Sequence, residues 1–416
     1  MDPRERRFAL AVLCVVALLV EGMSYATGRV LERRGVLYRP AALADYAGYL
    51  AARDPVLGWP PPGDPSLGAD GARPEPGDGA APPCGAAYGD SFTYGAAVGP
   101  ADTWPARLSA HLGCRVANFG VSGYGSDQAL LRFRGRATGG ERFAVLAHLT
   151  ENAMRNVNQF RGLLYAGSPF GFKPRFEVGK KGGLSLVPLP AIPVARYGEF
   201  VAAPERFLDH EYFAPGGPSG LAKLEPPYSI AILRAFRHFH VRAALRSEPW
   251  YLAFYDRDHP SNALRVTTAI LRAFAEEAEA RGVAGVPAIL PTELDLEYFA
   301  ASGRWTHRPL VDALAAEGVD VLDVAPAFAE RLGSRPAAEL FAGAHPTAEA
   351  NEWIAEIVAR ELERRGLATA GADARAPNER RSRRAAAPRR SPLRRARASR
   401  TRPRRSASRP ARAPAA

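Results

Sequence analysis

The chain has 416 residues, 47% of them hydrophobic, enough apolar material for a substantial core. Its formal charge of +12 is unevenly placed: residues 371–416 carry 16 Arg against one Asp and one Glu, leaving residues 1–370 at about −2. A near-neutral body argues against nucleic-acid binding by the folded part and confines that chemistry to the tail.

In chain order, Arg4, Arg6 and Arg7 precede thirteen uncharged residues, 8–20, and the apolar character continues past Glu21 to Ala26. A basic start followed by an apolar run is the order of an export signal. Counted as residues 8–26, the run has nineteen residues, just enough to span a bilayer with Glu21 near the far interface. The arginines stay on the cytoplasmic side, so everything downstream is expected outside. Residues 1–26 are read as an uncleaved anchor in the cell membrane. Cleavage near Ala26, after the small Ser24, is the alternative and would release a secreted or periplasmic protein. Residues 27–83 form a membrane-proximal segment that ends in a Pro-, Gly- and Asp-rich stretch, 60–83, read as an extended linker.

From Cys84 the pattern alternates. Strands are expected at 84–89, 115–120, 143–149, 283–290 and 319–324, and helices at 103–112, 126–135, 262–281, 308–317 and 347–365. Strand alternating with helix argues for an α/β domain over 84–370, its parallel sheet covered on both faces and its site at the carboxyl ends of the strands. Between 152 and 262 the alternation lapses, apart from a hairpin at 173–187 and a helix at 229–246. That stretch is too long for a structureless loop, so about 160–260 is read as an inserted cap. Residues 371–416, almost all Arg, Ala, Pro and Ser, cannot bury enough apolar surface to order themselves. They are expected to be a disordered, solvated extension able to touch anionic polymers or lipid, with no specific nucleic acid as partner. Cys84 and Cys114 stand at the starts of two successive strands; an exported chain permits a disulfide between them, and two buried thiols are the alternative.

Four motifs carry the chemistry. Gly89-Asp90-Ser91 ends the first strand, Asn118-Phe119-Gly120-Val121-Ser122-Gly123 the second, and Thr150-Glu151-Asn152 the third; Ala344-His345-Pro346 follows the last strand. A serine hydroxyl needs a neighbouring base to become a nucleophile, and His345 supplies one for Ser91. The oxyanion of a tetrahedral intermediate needs preorganised donors, which the N–H groups of Ser91 and Gly123 and the Asn152 amide would provide. No Cys/His cluster has zinc spacing, and acyl transfer by serine needs no metal or other cofactor. A rival base lies in "YDRDHP", where Asp256 stands three residues before His259. It precedes two further strand–helix units, so His345, after the last strand, is preferred. His148 and His210 are left as structural.

These blocks resemble those of the SGNH, or GDSL-type, hydrolase superfamily. The likeness covers roughly 84–159 and 283–365; "GDSFTYGAAVGPADTWPARLSAHLG" with "VANFGVSGYGSDQALLRF" is similar to exported, membrane-anchored members. The resemblance implies a flavodoxin-like α/β/α sandwich and a serine hydrolase that cleaves an O-acyl ester through an acyl-enzyme. Acetyl on an envelope carbohydrate is its expected substrate, with O-acyl transfer at the same site or a silent binding protein as alternatives. Two residues depart from the pattern. Ala342 stands where an aspartate would orient the histidine, and Ala153 where an aspartate commonly follows the asparagine. A backbone carbonyl, Glu339 or Asp323 is the expected substitute for the first.

Overall fold

The computed structural model describes residues 2–76, 82–137, 139–165, 168–179 and 182–368; the Arg-rich tail lies outside the described residues. The chain begins with α1 (Pro3–Arg33), whose N-terminus is closed by a capping box between Asp2 and Glu5 with proline in the first turn. It continues past Ala26 as one helix, apolar and long enough to cross a membrane. Next come α2 (Tyr46–Ala52), β1 (Gly85–Tyr88), α3 (Ser91–Tyr94), α4 (Trp104–Leu112), β2 (Val116–Asn118), α5 (Ser126–Arg134) and β3 (Phe143–Leu149). After α6 (Asn152–Arg155), the insert holds α7 (Arg161–Leu164), the hairpin β4 (Arg175–Val178) and β5 (Leu184–Val187), α8 (Tyr197–Ala202), α9 (Tyr228–Arg237) and α10 (Phe239–Arg246). The chain then completes α11 (Ala263–Ala280), β6 (Ala284–Leu290), α12 (Glu293–Ser302), α13 (Arg308–Ala316), β7 (Leu322–Asp323), α14 (Ala325–Leu332), β8 (Phe341–Ala342), β9 (His345–Pro346) and α15 (Ala348–Arg364).

The main sheet has the order β2-β1-β3-β6-β7, every pair parallel. This is the flavodoxin-like doubly wound order, with its switch point between β1 and β3. One face is covered by Trp104 and Leu108 of α4 and by Trp353, Ile354 and Val358 of α15. The other is covered by Leu130 and Phe133 of α5, Ile270 and Phe274 of α11, and Leu310 and Leu314 of α13. Each such side chain, fully buried, is worth about 1.5–3 kcal/mol of transfer free energy. The Ala-rich β1 lets these layers close tightly: a Cβ on Gly85 would lie 2.2 Å from the Phe143 ring. Cys84 and Cys114, at the edges of β1 and β2, form a disulfide with Cα atoms 6.0 Å apart.

One expectation needs correction. The helix expected over 229–246 breaks at His238, which is extended (φ −64°, ψ 141°) and donates from Nε2 to the Ser219 carbonyl at 2.9 Å. A buried imidazole tied to another segment outweighs continuation of the helix at that residue. The membrane-proximal segment packs on the insert: Tyr46 stacks on Tyr197 with centroids 3.7 Å apart and donates its hydroxyl to the Ile192 carbonyl at 2.7 Å. With Phe160, Phe172, Phe200 and Leu208 it makes a second apolar core. The described part of the Pro- and Gly-rich stretch bonds to the sheet and its loops. The Arg73 N–H donates to the Asn118 carbonyl (2.8 Å), and its guanidinium caps the carbonyls of Tyr94, Gly95 and Val98. Glu75 accepts from Thr103 (2.8 Å) and Asn118 (3.1 Å).

Candidate active site

The first three motifs meet at the carboxyl rim of β1, β2 and β3, in the crevice where doubly wound sheets bind ligands. Ser91 is the first residue of α3 and only 6% exposed. Its position leaves its N–H without an intrahelical partner. Asp90 caps this helix by accepting from the Phe92 N–H at 2.8 Å, and its second carboxylate oxygen accepts from the Asn152 amide at 2.6 Å. One side chain thereby ties the β1 motif to the β3 motif. Asp90 is buried, and desolvation raises its pKa, opposed first by the Arg155 charge. Asn152 is fully buried, and the hydrogen bond to Asp90 uses one of its two amide hydrogens.

The β2 motif docks beside them. The Val121 N–H donates to the Gly89 carbonyl at 3.1 Å, and a Cβ on Gly120 would lie 2.3 Å from the Tyr94 nitrogen. Gly123 has φ +82°, the left-handed region where a side chain is strained, and a Cβ there would lie 2.5 Å from the Phe170 ring. Phe170 in turn stacks on Trp59 at 4.9 Å, and the Trp59 indole donates to the Ser122 carbonyl at 2.9 Å. Arg155 braces the same loop from the third motif, donating to the Tyr124 carbonyl at 3.1 Å while paired with Glu151 at 2.8 Å.

His345 reaches this rim from a hairpin of its own. Ala342 pairs with His345 across β8 and β9, and Gly343 (φ +55°) and Ala344 (φ +63°) make the turn. Two successive left-handed residues form the tight turn that matches strand twist. The His345 ring lies 5.8 Å from the ring of Phe92, the neighbour of Ser91. Its Nδ1 lies 2.9 Å from the Gly343 carbonyl, which can only accept, so Nδ1 carries the proton and Nε2 is the basic nitrogen. The Gly343 carbonyl is thus the partner of Nδ1. Glu339 is engaged by Arg335 at 3.2 Å, and Asp323 by His307 at 3.0 Å and the Ala325 N–H at 3.1 Å.

The rival His259 is placed otherwise. Its Nδ1 meets the Ser261 hydroxyl at 2.8 Å, and its ring packs 4.4 Å from Phe254 and 5.7 Å from Tyr212. Burial lowers its pKa against the opposing charge of Asp256. Ser261 also accepts from the Ala263 N–H at 3.1 Å, so this segment opens α11.

Sequence reasoning missed Asp90, Arg155, Trp59 and Phe170 as supports of the rim. Asp90 stands inside the Gly89-Asp90-Ser91 motif, but its bond to Asn152 required the fold. Below the rim, fully buried Lys173 of the insert pairs with Asp127 of α5 and donates to the carbonyls of Arg155 (3.0 Å) and Asn158 (3.1 Å). Burial lowers the Lys173 pKa to about 8 despite Asp127. His148 is structural, held between Ser126 (2.8 Å) and Tyr255 (3.0 Å). Among the described residues, His111, Glu352 and Glu356 form the one grouping with metal-ligand spacing. It lies at the surface and is engaged by Arg107 and Arg331. A cavity of about 950 Å³ between the end of α1 and the insert is lined by Tyr38, Leu163, Tyr165, Phe239 and Leu245; Ser91 does not line it.

No family model matches the chain, and no curated protein matches it. Among solved structures, it is similar to a G-D-S-L family protein from Desulfitobacterium hafniense DCB-2. Identity there is 12%, coverage 66% of this chain and 97% of that one, and the TM-score 0.29. It is also similar to AlinE4, an SGNH-hydrolase family esterase, with 14% identity, 68% and 96% coverage, and a TM-score of 0.27. The parallel β2-β1-β3-β6-β7 order with helices on both faces is a flavodoxin-like α/β/α sandwich, and the motif residues stand at its successive strand ends.

Proposed function

We propose that the chain is a serine ester hydrolase of the SGNH type, held at the outer face of a membrane by α1. The observation that carries the reading is the state of His345. With Nδ1 held by the Gly343 carbonyl, Nε2 is left as a base beside α3, the helix that Ser91 opens. In this reading Ser91 Oγ attacks the acyl carbon while His345 Nε2 takes its proton. The Ser91 and Gly123 N–H groups and the second Asn152 amide hydrogen receive the oxyanion. His345 then returns the proton to the departing alkoxide, leaving an acyl-serine. Water attacks that ester with the same base, releasing the acid and restoring Ser91.

The substrate class follows from location and resemblance: an O-acyl group, with acetyl on envelope carbohydrate as the specific candidate. Fluorophosphonate labelling tests the chemistry. The folded full chain should label, and Ser91→Ala and His345→Ala should abolish labelling while His259→Ala retains it. Folded wild-type protein that does not label would overturn the reading.

A further inference from the structure

The helices α9 and α10 leave four large apolar side chains in the open. Ile230 is 43% exposed, Leu233 63%, Phe236 58% and Leu245 77%. Interleaved with them on the exposed side are Arg234, Arg237, Arg242 and Arg246, whereas Ala231, Ala235 and Ala243 face the body. Apolar residues mixed with arginine on one outward face make an interfacial pattern, because arginine stems lie along apolar surface and their heads reach headgroups.

The course of the chain says what covers this face. Approaching α9, the insert runs antiparallel along α1. The Tyr38 N–H donates to the Ala222 carbonyl at 3.0 Å. Leu224 fills the space beside Gly28, where a Cβ would lie 2.2 Å from its Cδ1. Tyr228 packs on Tyr25 with centroids 5.0 Å apart. At the end of this descent the Glu21 carboxylate accepts from the N–H groups of Tyr228 and Ser229 and from the Ser229 hydroxyl. The start of α9 is therefore pinned level with Glu21, five residues inside the apolar run that ends at Ala26. At about 1.5 Å per residue, that is about 8 Å below the end of the run.

We propose that the first half of α9 lies in the interfacial layer of the bilayer that α1 crosses. From its start level with Glu21, α9 returns outward beside α1 to His238, which is tied to Ser219, so Ile230 and Leu233 of its first half enter the acyl-chain boundary and Arg234 and Arg237 meet anionic phospholipid headgroups. The insert then carries a membrane-facing surface of the folded body. This rests on reading α1 as a membrane anchor.

The test uses the full chain with Cys14→Ser, leaving the Cys84–Cys114 disulfide intact, reconstituted in mixed phosphatidylcholine and phosphatidylglycerol vesicles. A bimane label is placed singly at Leu18→Cys in α1, Leu233→Cys in α9, or Ala316→Cys at the exposed end of α13. Doxyl-labelled lipid should quench labels 18 and 233 but not 316. Aqueous iodide should quench 233 several-fold less than 316, and Arg234→Glu with Arg237→Glu should reduce doxyl quenching at 233. If label 18 is in lipid while 233 is quenched by iodide as strongly as 316, the proposal is wrong and the anchor stands. If 233 is shielded from iodide but untouched by doxyl lipid, another protein surface covers it and the proposal is again wrong. If label 18 is itself in water, the anchor reading fails and this proposal with it.

Discussion

Ala342→Asp would put a carboxylate where His345 now has only a backbone partner. Ala342 pairs directly with His345 across β8 and β9 and is exposed, so the new charge needs no burial. Side chains facing each other across antiparallel strands have Cβ atoms about 4.5–5.5 Å apart, within reach of an aspartate–imidazole hydrogen bond. At present Nδ1 donates to the neutral Gly343 carbonyl at 2.9 Å. A neutral hydrogen bond contributes about 0.5–1.5 kcal/mol net and one to a charged group about 1.5–3 kcal/mol. The imidazolium formed during attack should therefore gain about 1–2 kcal/mol, which corresponds to roughly 5- to 30-fold in turnover. The assay is hydrolysis of a short-chain aryl ester by wild type, Ala342→Asp and the neutral isostere Ala342→Asn, with thermal melts to confirm equal folding. Ala342→Asp should be faster than wild type, and Ala342→Asn should not. A folded Ala342→Asp protein no faster than wild type would refute the idea that Gly343 stands in for a missing acid.

Other consequences follow from buried groups and from the turn. Lys173→Met should cost about 3–5 kcal/mol in urea unfolding, because it strands the buried Asp127 carboxylate; adding Asp127→Leu should recover most of that loss. His148 is buried neutral, with its pKa lowered from 6.5 to about 3, chiefly by desolvation. The unfolded chain takes up this proton below pH 6.5 and the folded chain does not. The stability due to His148 is thus complete above that pH and is lost as pH falls towards 3, at about 1.4 kcal/mol per unit. His148→Gln should flatten the acid limb of a plot of urea-unfolding free energy against pH, and identical limbs would contradict this. Ala344→Gly should stabilise the β8–β9 turn by about 1 kcal/mol in thermal or urea melts, since Ala344 pays for a left-handed backbone that glycine adopts freely.

Local sequence determined the periodic elements and the chemistry available at their ends. The run 143–149 reads as a buried strand and forms β3 over the same residues, because a central parallel strand needs apolar side chains on both faces. The order Ser91, Gly123, Asn152, His345 was likewise legible, since each sits in a short block beside a strand or helix boundary. Where periodicity was weak, the reading failed. The apolar residues of α12 are spread around its circumference, so only its Thr292–Asp295 capping box announces it. The break at His238 depends on Ser219, and the place of Trp59 depends on Phe170 and Ser122. Which residue holds which was decided by the tertiary structure alone. The Asp90–Asn152 bond joins residues 62 apart in sequence, Tyr46 finds Ile192 across 146, and Glu21 finds Ser229 across 208. Such pairs leave no local mark, because their geometry exists only once the sheet has brought the strand ends together and the insert has folded back along α1.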